Sequence, residues 1–180
     1  MKLRWSHAVL YVRDIDEMID FYESVLGFQV SDRGQMDPNV PGIELVFLSQ
    51  VGSEHHQLAF APVRGEGPST TLDHIAFRVD SLADVKSMAD KLTADGRATD
   101  LEPLTHGNTW SIYFKDPEGN GVEVFCDSPF AVQQPQIRPW DLAMSEEDLR
   151  RQTEERFADQ PGFMPAEDFY KAHRRRHGEE

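Results

Sequence analysis

The sequence is nearly without cysteine: Cys126 stands alone among 180 residues. One thiol excludes an internal disulfide and any cysteine-built zinc cluster. Its place at the end of an apolar run reads as a buried strand-end thiol rather than a nucleophile. Basic residues are outnumbered, 18 Lys and Arg against 32 Asp and Glu, for a formal charge of −14. Residues 1–128 hold 10 of the former and 21 of the latter. A nucleic-acid binder needs the opposite field, so that class of partner is excluded, and Arg174-Arg175-Arg176 reads as a solvated helix end. No apolar run approaches the roughly 20 residues that span a bilayer, and the N-terminus lacks the apolar segment of a signal peptide. The expectation is a cytoplasmic protein with no membrane partner, in a compartment where Fe(II) stays reduced.

What is present is the composition of a folded chain, 39% hydrophobic and 10% aromatic. It suits one domain of roughly 130 residues with an extension. Two stretches superpose with an offset of 67 positions: His7-Ala-Val-Leu-Tyr-Val12 falls on His74-Ile-Ala-Phe-Arg-Val79, and Asp14-Ile-Asp-Glu17 on Ser81-Leu-Ala-Asp84. The second pair has the form of a helix start, a capping residue followed three positions later by an acid. Ile15, Met18, Ile19, Tyr22, Val25 and Leu26 make one apolar stripe closed by Gly27, and Leu82, Val85, Met88 and Leu92 another closed by Gly96. Such a repeat indicates a duplicated unit whose copies bury a shared surface.

Strands are expected near 5–12, 28–32, 43–49 and 55–61, with a helix at 14–26. The second unit gives strands near 72–79, 98–102, 109–115 and 121–126, with a helix at 81–94. The fold class is therefore α+β, two paired βαβββ modules (1–64 and 69–128) that form a curved sheet enclosing a cavity. Gly65-Glu-Gly-Pro68 is a linker candidate, and 33–42 reads as a long loop able to cover a pocket. Residues 129–180 form a C-terminal extension marked by Pro129, Pro135 and Pro139. Helices are expected from Ser145 and over 166–177, on a thin apolar stripe that suits packing or dimer contacts.

Residues two apart share a face of a strand. Ile75, Phe77 and Val79 suit packing on a helix, which leaves His74 on the opposite face; His7 likewise opposes Ala8 and Leu10, Tyr113 opposes Ile112 and Phe114, and Glu123 opposes Val122 and Val124. Two curved sheets would then enclose a cavity lined by His7, His74, Tyr113 and Glu123. Two imidazoles and a carboxylate favour a divalent first-row metal with open positions, and a facial set of this kind suits non-haem Fe(II). A fourth protein ligand would favour isomerase chemistry instead.

Residues 1–128 resemble the vicinal oxygen chelate superfamily, and more closely its single-domain type I extradiol ring-cleavage dioxygenases. The stretch His106-Gly-Asn-Thr-Trp-Ser-Ile-Tyr-Phe-Lys-Asp-Pro-Glu-Gly-Asn-Gly-Val-Glu123 carries the likeness, with His55-His56-Gln57-Leu58-Ala59 as a second pointer. Leu104, two before His106, departs from the extradiol pattern, which has a small or β-branched residue there. The resemblance implies Fe(II) held by His7, His74 and Glu123, with Mn(II) as the alternative. The implied reaction is dioxygen-dependent cleavage of a catechol beside its diol. His56 becomes the acid–base residue, Tyr113 a hydrogen-bond donor to the substrate oxygen, and His106 with Asn108 the groups that orient substrate. Trp110 suits the pocket wall or the core. A homo-oligomer, a dimer or higher, is implied as well. Gln57 lies close to the fourth-ligand position of glyoxalases, which use Ni(II) or Zn(II). A regular strand cannot aim both His56 and Gln57 inward, so the isomerase alternative stays open, as does a metal-free binding module of the same fold.

Overall fold

The computed structural model describes residues 5–37, 40–67 and 72–179, and it shows an α+β chain built on two main sheets. The first unit runs β1 (Ala8–Tyr11), α1 (Ile15–Ser24), β2 (Gln29–Asp37), β3 (Val40–Ser49) and β4 (Leu58–Ala61). The second repeats it as β5 (His74–Arg78), α2 (Leu82–Asp95), β6 (Thr99–Thr105), β7 (Thr109–Lys115) and β8 (Gly121–Asp127). Both helix starts are capped as their sequences require: the Asp14 carboxylate accepts the Glu17 N–H at 3.0 Å, and Ser81 Oγ accepts that of Asp84 at 3.2 Å. Gly96 ends α2 in the left-handed conformation, at φ 79°.

In each unit the first strand pairs in parallel with the last, Ala8 opposite Leu58 in one and His74 opposite Gly121 in the other. The orders are β1-β4-β3-β2 and β6-β7-β8-β5. Among the described residues, β1 and β5 are therefore edge strands. Residues 33–37 and 40–42 lie on paired strands rather than in a loop, since β2 and β3 pair from Gln29–Ser49 out to Asp37–Val40. Gly34 lies on an edge strand and Pro41 at the start of β3, two positions where breakers are tolerated. Pro38 and Pro68 lie outside the described residues.

The extension adds β9 (Phe130–Ala131), β10 (Arg138–Pro139), α3 (Glu146–Phe157), β11 (Met164–Pro165) and α4 (Ala166–Arg176). β10 pairs with β6. The stripe of α3 is thin but effective: Leu149, Thr153 and Phe157, four residues apart, are all buried. Trp140 and Leu149 belong to the same core as the two units, whereas α4 buries nothing. Cys126 is buried, and burial, then Asp127 and Glu146, push its thiol up to about 11.

The two units join through their helix-bearing faces. Phe28 packs on Phe77 with ring centroids 5.5 Å apart, and the buried Tyr22 hydroxyl donates to Asp116 at 3.2 Å. Arg97 reaches Asp20 at 2.8 Å, and Glu118 accepts from Asp14 N–H at 2.8 Å and from Arg64 at 3.2 Å. Among the described residues, no helix is long and apolar enough to cross a membrane.

Candidate metal centre

Strand register assembles the second unit's half of the site. Tyr113 and Ala76 both stand opposite Glu123, one from each neighbouring strand, and His74 lies two residues from Ala76 on the same face. His74 Nε2 comes 3.5 Å from Glu123 Oε2, and the Glu123 side chain is 9% exposed. The other ring nitrogen, Nδ1, lies 2.6 Å from the Asp73 carboxylate. A carboxylate on one imidazole nitrogen fixes the tautomer and presents the other nitrogen as a lone pair, the usual support behind a metal-ligating histidine. The same contact holds the Asp73 carboxyl below its ordinary range. Gly121 lets β5 and β8 approach here, because a Cβ at that position would sit 2.2 Å from the Asp73 carbonyl oxygen.

The Tyr113 hydroxyl lies 2.9 Å from His106 Nε2, while His106 Nδ1 bonds the Gln136 carbonyl. A carbonyl only accepts, so Nδ1 carries the proton and Nε2 accepts from Tyr113. Burial, then the hydrogen bond to Glu123 and its charge, raise Tyr113 well above the ordinary phenol range, so the hydroxyl stays protonated. These groups share a cavity of about 490 Å³ lined by Asp73, His74, Leu104, His106, Tyr113 and, from the extension, Ile137.

The first unit carries the rest. His7 is exposed, with Nδ1 3.0 Å from Ser6 Oγ and its ring 4.3 Å from that of His56. His56 and Gln57 precede β4 instead of lying on it, so strand alternation does not govern them. The His56 ring lies tilted against those of His7 and Phe47, and its Nδ1 lies 2.9 Å from that of His55. Burial, then His7 and His55, lower its pKa from the ordinary imidazole value. Gln57 is turned elsewhere: its Oε1 accepts the Gln50 N–H at 2.9 Å.

Among the described residues, no three His, Cys, Asp or Glu side chains are grouped to hold a metal. Of the four residues expected to line one cavity, His74 and Tyr113 line the one they share with His106 and His7 does not. A groove between the units is lined by Trp5, Ser6 and Ala8 from the first and by His74, Ile75 and Phe77 from the second. Trp110 belongs to the core, not the pocket wall: it is buried and its indole N–H donates to Thr153 Oγ1 at 2.9 Å. Asn108 is held by Gln134 at 3.2 Å and does not line the cavity. Sequence reasoning missed Asp73, whose signal was its adjacency to His74. It also missed Gln136 and Ile137, which lie in a proline-marked segment with no periodicity to read.

The model of the Glyoxalase/Bleomycin resistance protein/Dioxygenase superfamily matches residues 4–124. The chain is 29% identical over 144 residues to metapyrocatechase of Pseudomonas sp. (strain CF600), covering 77% of this chain and 44% of that protein. It is 31% identical over 130 residues to biphenyl-2,3-diol 1,2-dioxygenase 2 of Rhodococcus globerulus, covering 69% and 63%. It therefore spans less than two thirds of the length of either relative. A solved structure of the fosfomycin resistance protein FosX from Listeria monocytogenes, complexed with Mn(II) and sulfate, aligns with TM-score 0.55 at 20% identity, over 71% of this chain and 95% of that one. That likeness shows the shared fold.

Proposed function

The chain belongs to the glyoxalase/bleomycin resistance protein/dioxygenase superfamily, and from that premise we propose that it is a divalent-metal-dependent extradiol dioxygenase acting on a catecholic small molecule with O2. The observation that carries this reading is the His74–Glu123 pair with Tyr113 beside it, where His74, Tyr113 and His106 line one cavity. The donor set fits a first-row ion, Fe(II) or Mn(II): the His74–Glu123 pair would hold it, with His7 as the proposed third ligand, and Asp73 backs His74 as a second carboxylate. When bound, such an ion supplies chelation of a diol and a coordination position for dioxygen.

The remaining work falls to side chains. On substrate binding Tyr113 turns its single hydroxyl proton from His106 Nε2 to a substrate oxygen in the cavity, while His106 stays fixed by Gln136. Leu104 and Ile137 offer apolar wall to the ring. His56, beside His7, takes the catechol O–H proton on its ring and returns it as the ring opens. Both atoms of O2 enter the product, so the reaction needs no external reductant. The isomerase alternative requires the Gln57 carboxamide among the ligands, and the bond of that group to Gln50 supports the dioxygenase reading instead.

The test is anaerobic loading with Fe(II) or Mn(II), then a panel of catechols under air. The expected result is a yellow ring-opened product with dioxygen consumed in step. Isomerisation of a hemithioacetal with no dioxygen uptake would overturn the proposal.

A further inference from the structure

We propose that Gln134, in the C-terminal extension, is a positioning residue for the pair His106–Tyr113. Its carboxamide ties the His106 turn to the Gln136 backbone and so holds the His106 ring in one tautomer. This rests on the dioxygenase reading above for its use, and adds what keeps the substrate-orienting groups in place.

Both ends of the Gln134 carboxamide are occupied, and by different segments. Its Nε2 donates to the His106 carbonyl at 2.8 Å and to Asn108 Oδ1 at 3.2 Å. Its Oε1 accepts the Gln136 N–H at 3.0 Å. A backbone N–H only donates and a carbonyl only accepts, so these partners fix which end of the amide faces which. One side chain therefore sets the spacing between the residue that carries the imidazole and the residue whose carbonyl receives its Nδ1 proton.

The groups around this clamp are already immobile. Gly107 N–H donates to Thr105 Oγ1 at 3.1 Å, and Ser128 N–H donates to the Asn108 carbonyl at 3.0 Å. Val132 and Phe157 close over Gly107, which at φ 81° leaves no room for a Cβ. On the far side β10 is pinned, with Arg138 opposite Thr105 and the Trp140 indole N–H on the Leu104 and Ser111 carbonyls at 3.1 and 3.0 Å. Gln136 hangs between that anchor and Gln134.

The consequence is chemical. With Nδ1–H on the Gln136 carbonyl, Nε2 presents a lone pair to the Tyr113 hydroxyl at 2.9 Å. In the other tautomer Nε2 is a donor, so Tyr113 and a bound substrate meet a proton where they had met an acceptor. Gln134 lies beyond residues 4–124, the span that the family shares, so the clamp belongs to the extension of this chain. It is also exposed, while Trp140, Leu149 and Phe157 anchor the extension in the interior. Removing the carboxamide should loosen the turn without unmaking the fold.

NMR of the nitrogen-labelled full-length chain reads the tautomer directly, with His106 assigned by the loss of its signals in His106→Gln. Wild type should show His106 as the Nδ1–H tautomer alone. Gln134→Met keeps the length and removes both polar ends. It should show both tautomers, with the Nδ1 proton exchanging about tenfold faster or more. Mn(II) content and melting temperature should stay at the wild-type level, while kcat/KM for a catechol, from oxygen uptake, falls about tenfold, as expected when an orienting group drifts. Gln133→Met, the same change one residue earlier, should match the wild type throughout. A wild-type tautomer and exchange rate in Gln134→Met, an unchanged kcat/KM, or equal disturbance from Gln133→Met would overturn the proposal. If Gln134→Met does not fold, Gln134→Glu takes its place, since it sets a carboxylate against the His106 carbonyl and should release the same tautomer. A tautomer that depends on Gln134 in a wild-type protein that consumes no dioxygen with any catechol would bring down the dioxygenase reading and leave the clamp standing.

Discussion

At the scale of single residues, what a side chain can do follows from which of its atoms are already occupied. His74 has one nitrogen on Asp73 and the other toward Glu123, so it is presented as a ligand; the Gln57 carboxamide oxygen is taken by a backbone N–H. His56 stands beside His7 without belonging to the carboxylate pair. Its replacement by alanine is therefore expected to leave metal binding intact while turnover falls by about 10²–10⁴, the usual loss for an acid–base group. Gln57→Ala should keep most of the turnover. Oxygen uptake and metal content, measured on both variants, decide between the chemistries: metal lost in Gln57→Ala with His56→Ala unaffected means four protein ligands and an isomerase.

At the scale of elements, the site is a product of strand spacing. β5 can bring Asp73 and His74 beside Glu123 because Gly121 lets the two strands approach, with no room for a Cβ between them. In Gly121→Ala the nearest obstacle is backbone, the Asp73 carbonyl oxygen, and the next is His74 Cβ at 3.0 Å. Neither can step aside as a flexible side chain would, so β5 must shift. A loss of about 1–3 kcal/mol in stability is expected, the range for overpacking, together with weaker Mn(II) binding, since the shift moves a ligand. Gly34→Ala is the comparison, for a Cβ there meets nothing within 4 Å and the backbone is not strained. Its melting temperature and metal affinity should match the wild type. Equal melting temperatures for the two variants would mean that β5 is not held by this approach.

At the scale of the whole molecule, charge sets the terms of association. With 32 acidic against 18 basic residues, two copies approach against their own repulsion. A contact built on Trp5, Val9 and Tyr11 gains little from ion pairs and loses to that repulsion at low salt. Self-association through that strip should therefore strengthen as ionic strength rises from about 0.01 M to 0.15 M, where the screening length shortens from roughly 30 Å to 8 Å. Sedimentation velocity across that range is the check, and dissociation on adding salt would point to an interface of ion pairs instead. The extension belongs to this scale too. Gln136 and Ile137 reach the cavity from beyond the span that the family shares, residues 4–124.

The sequence by itself determined the repeat, and through it the two βαβββ units, their capped helices and the faces of their strands. All of these follow from local periodicity and capping chemistry, which need only near neighbours along the chain. It also marked His74, Glu123 and Tyr113, because register on adjacent strands brings alternate residues of the same phase together, while His106 was marked by the resemblance of its stretch to the extradiol pattern. Tertiary structure decided the rest. Whether Trp110 lines a pocket or fills the core depends on α3, which supplies Thr153 from more than 40 residues away. His56 and Gln57 fall in a loop, where strand phase has no authority over direction. The relation of His7 to its partners is set by how two preformed units dock. Alternation fixes which side of a strand a ligand occupies, but docking of the helix-bearing faces fixes which surface that side meets.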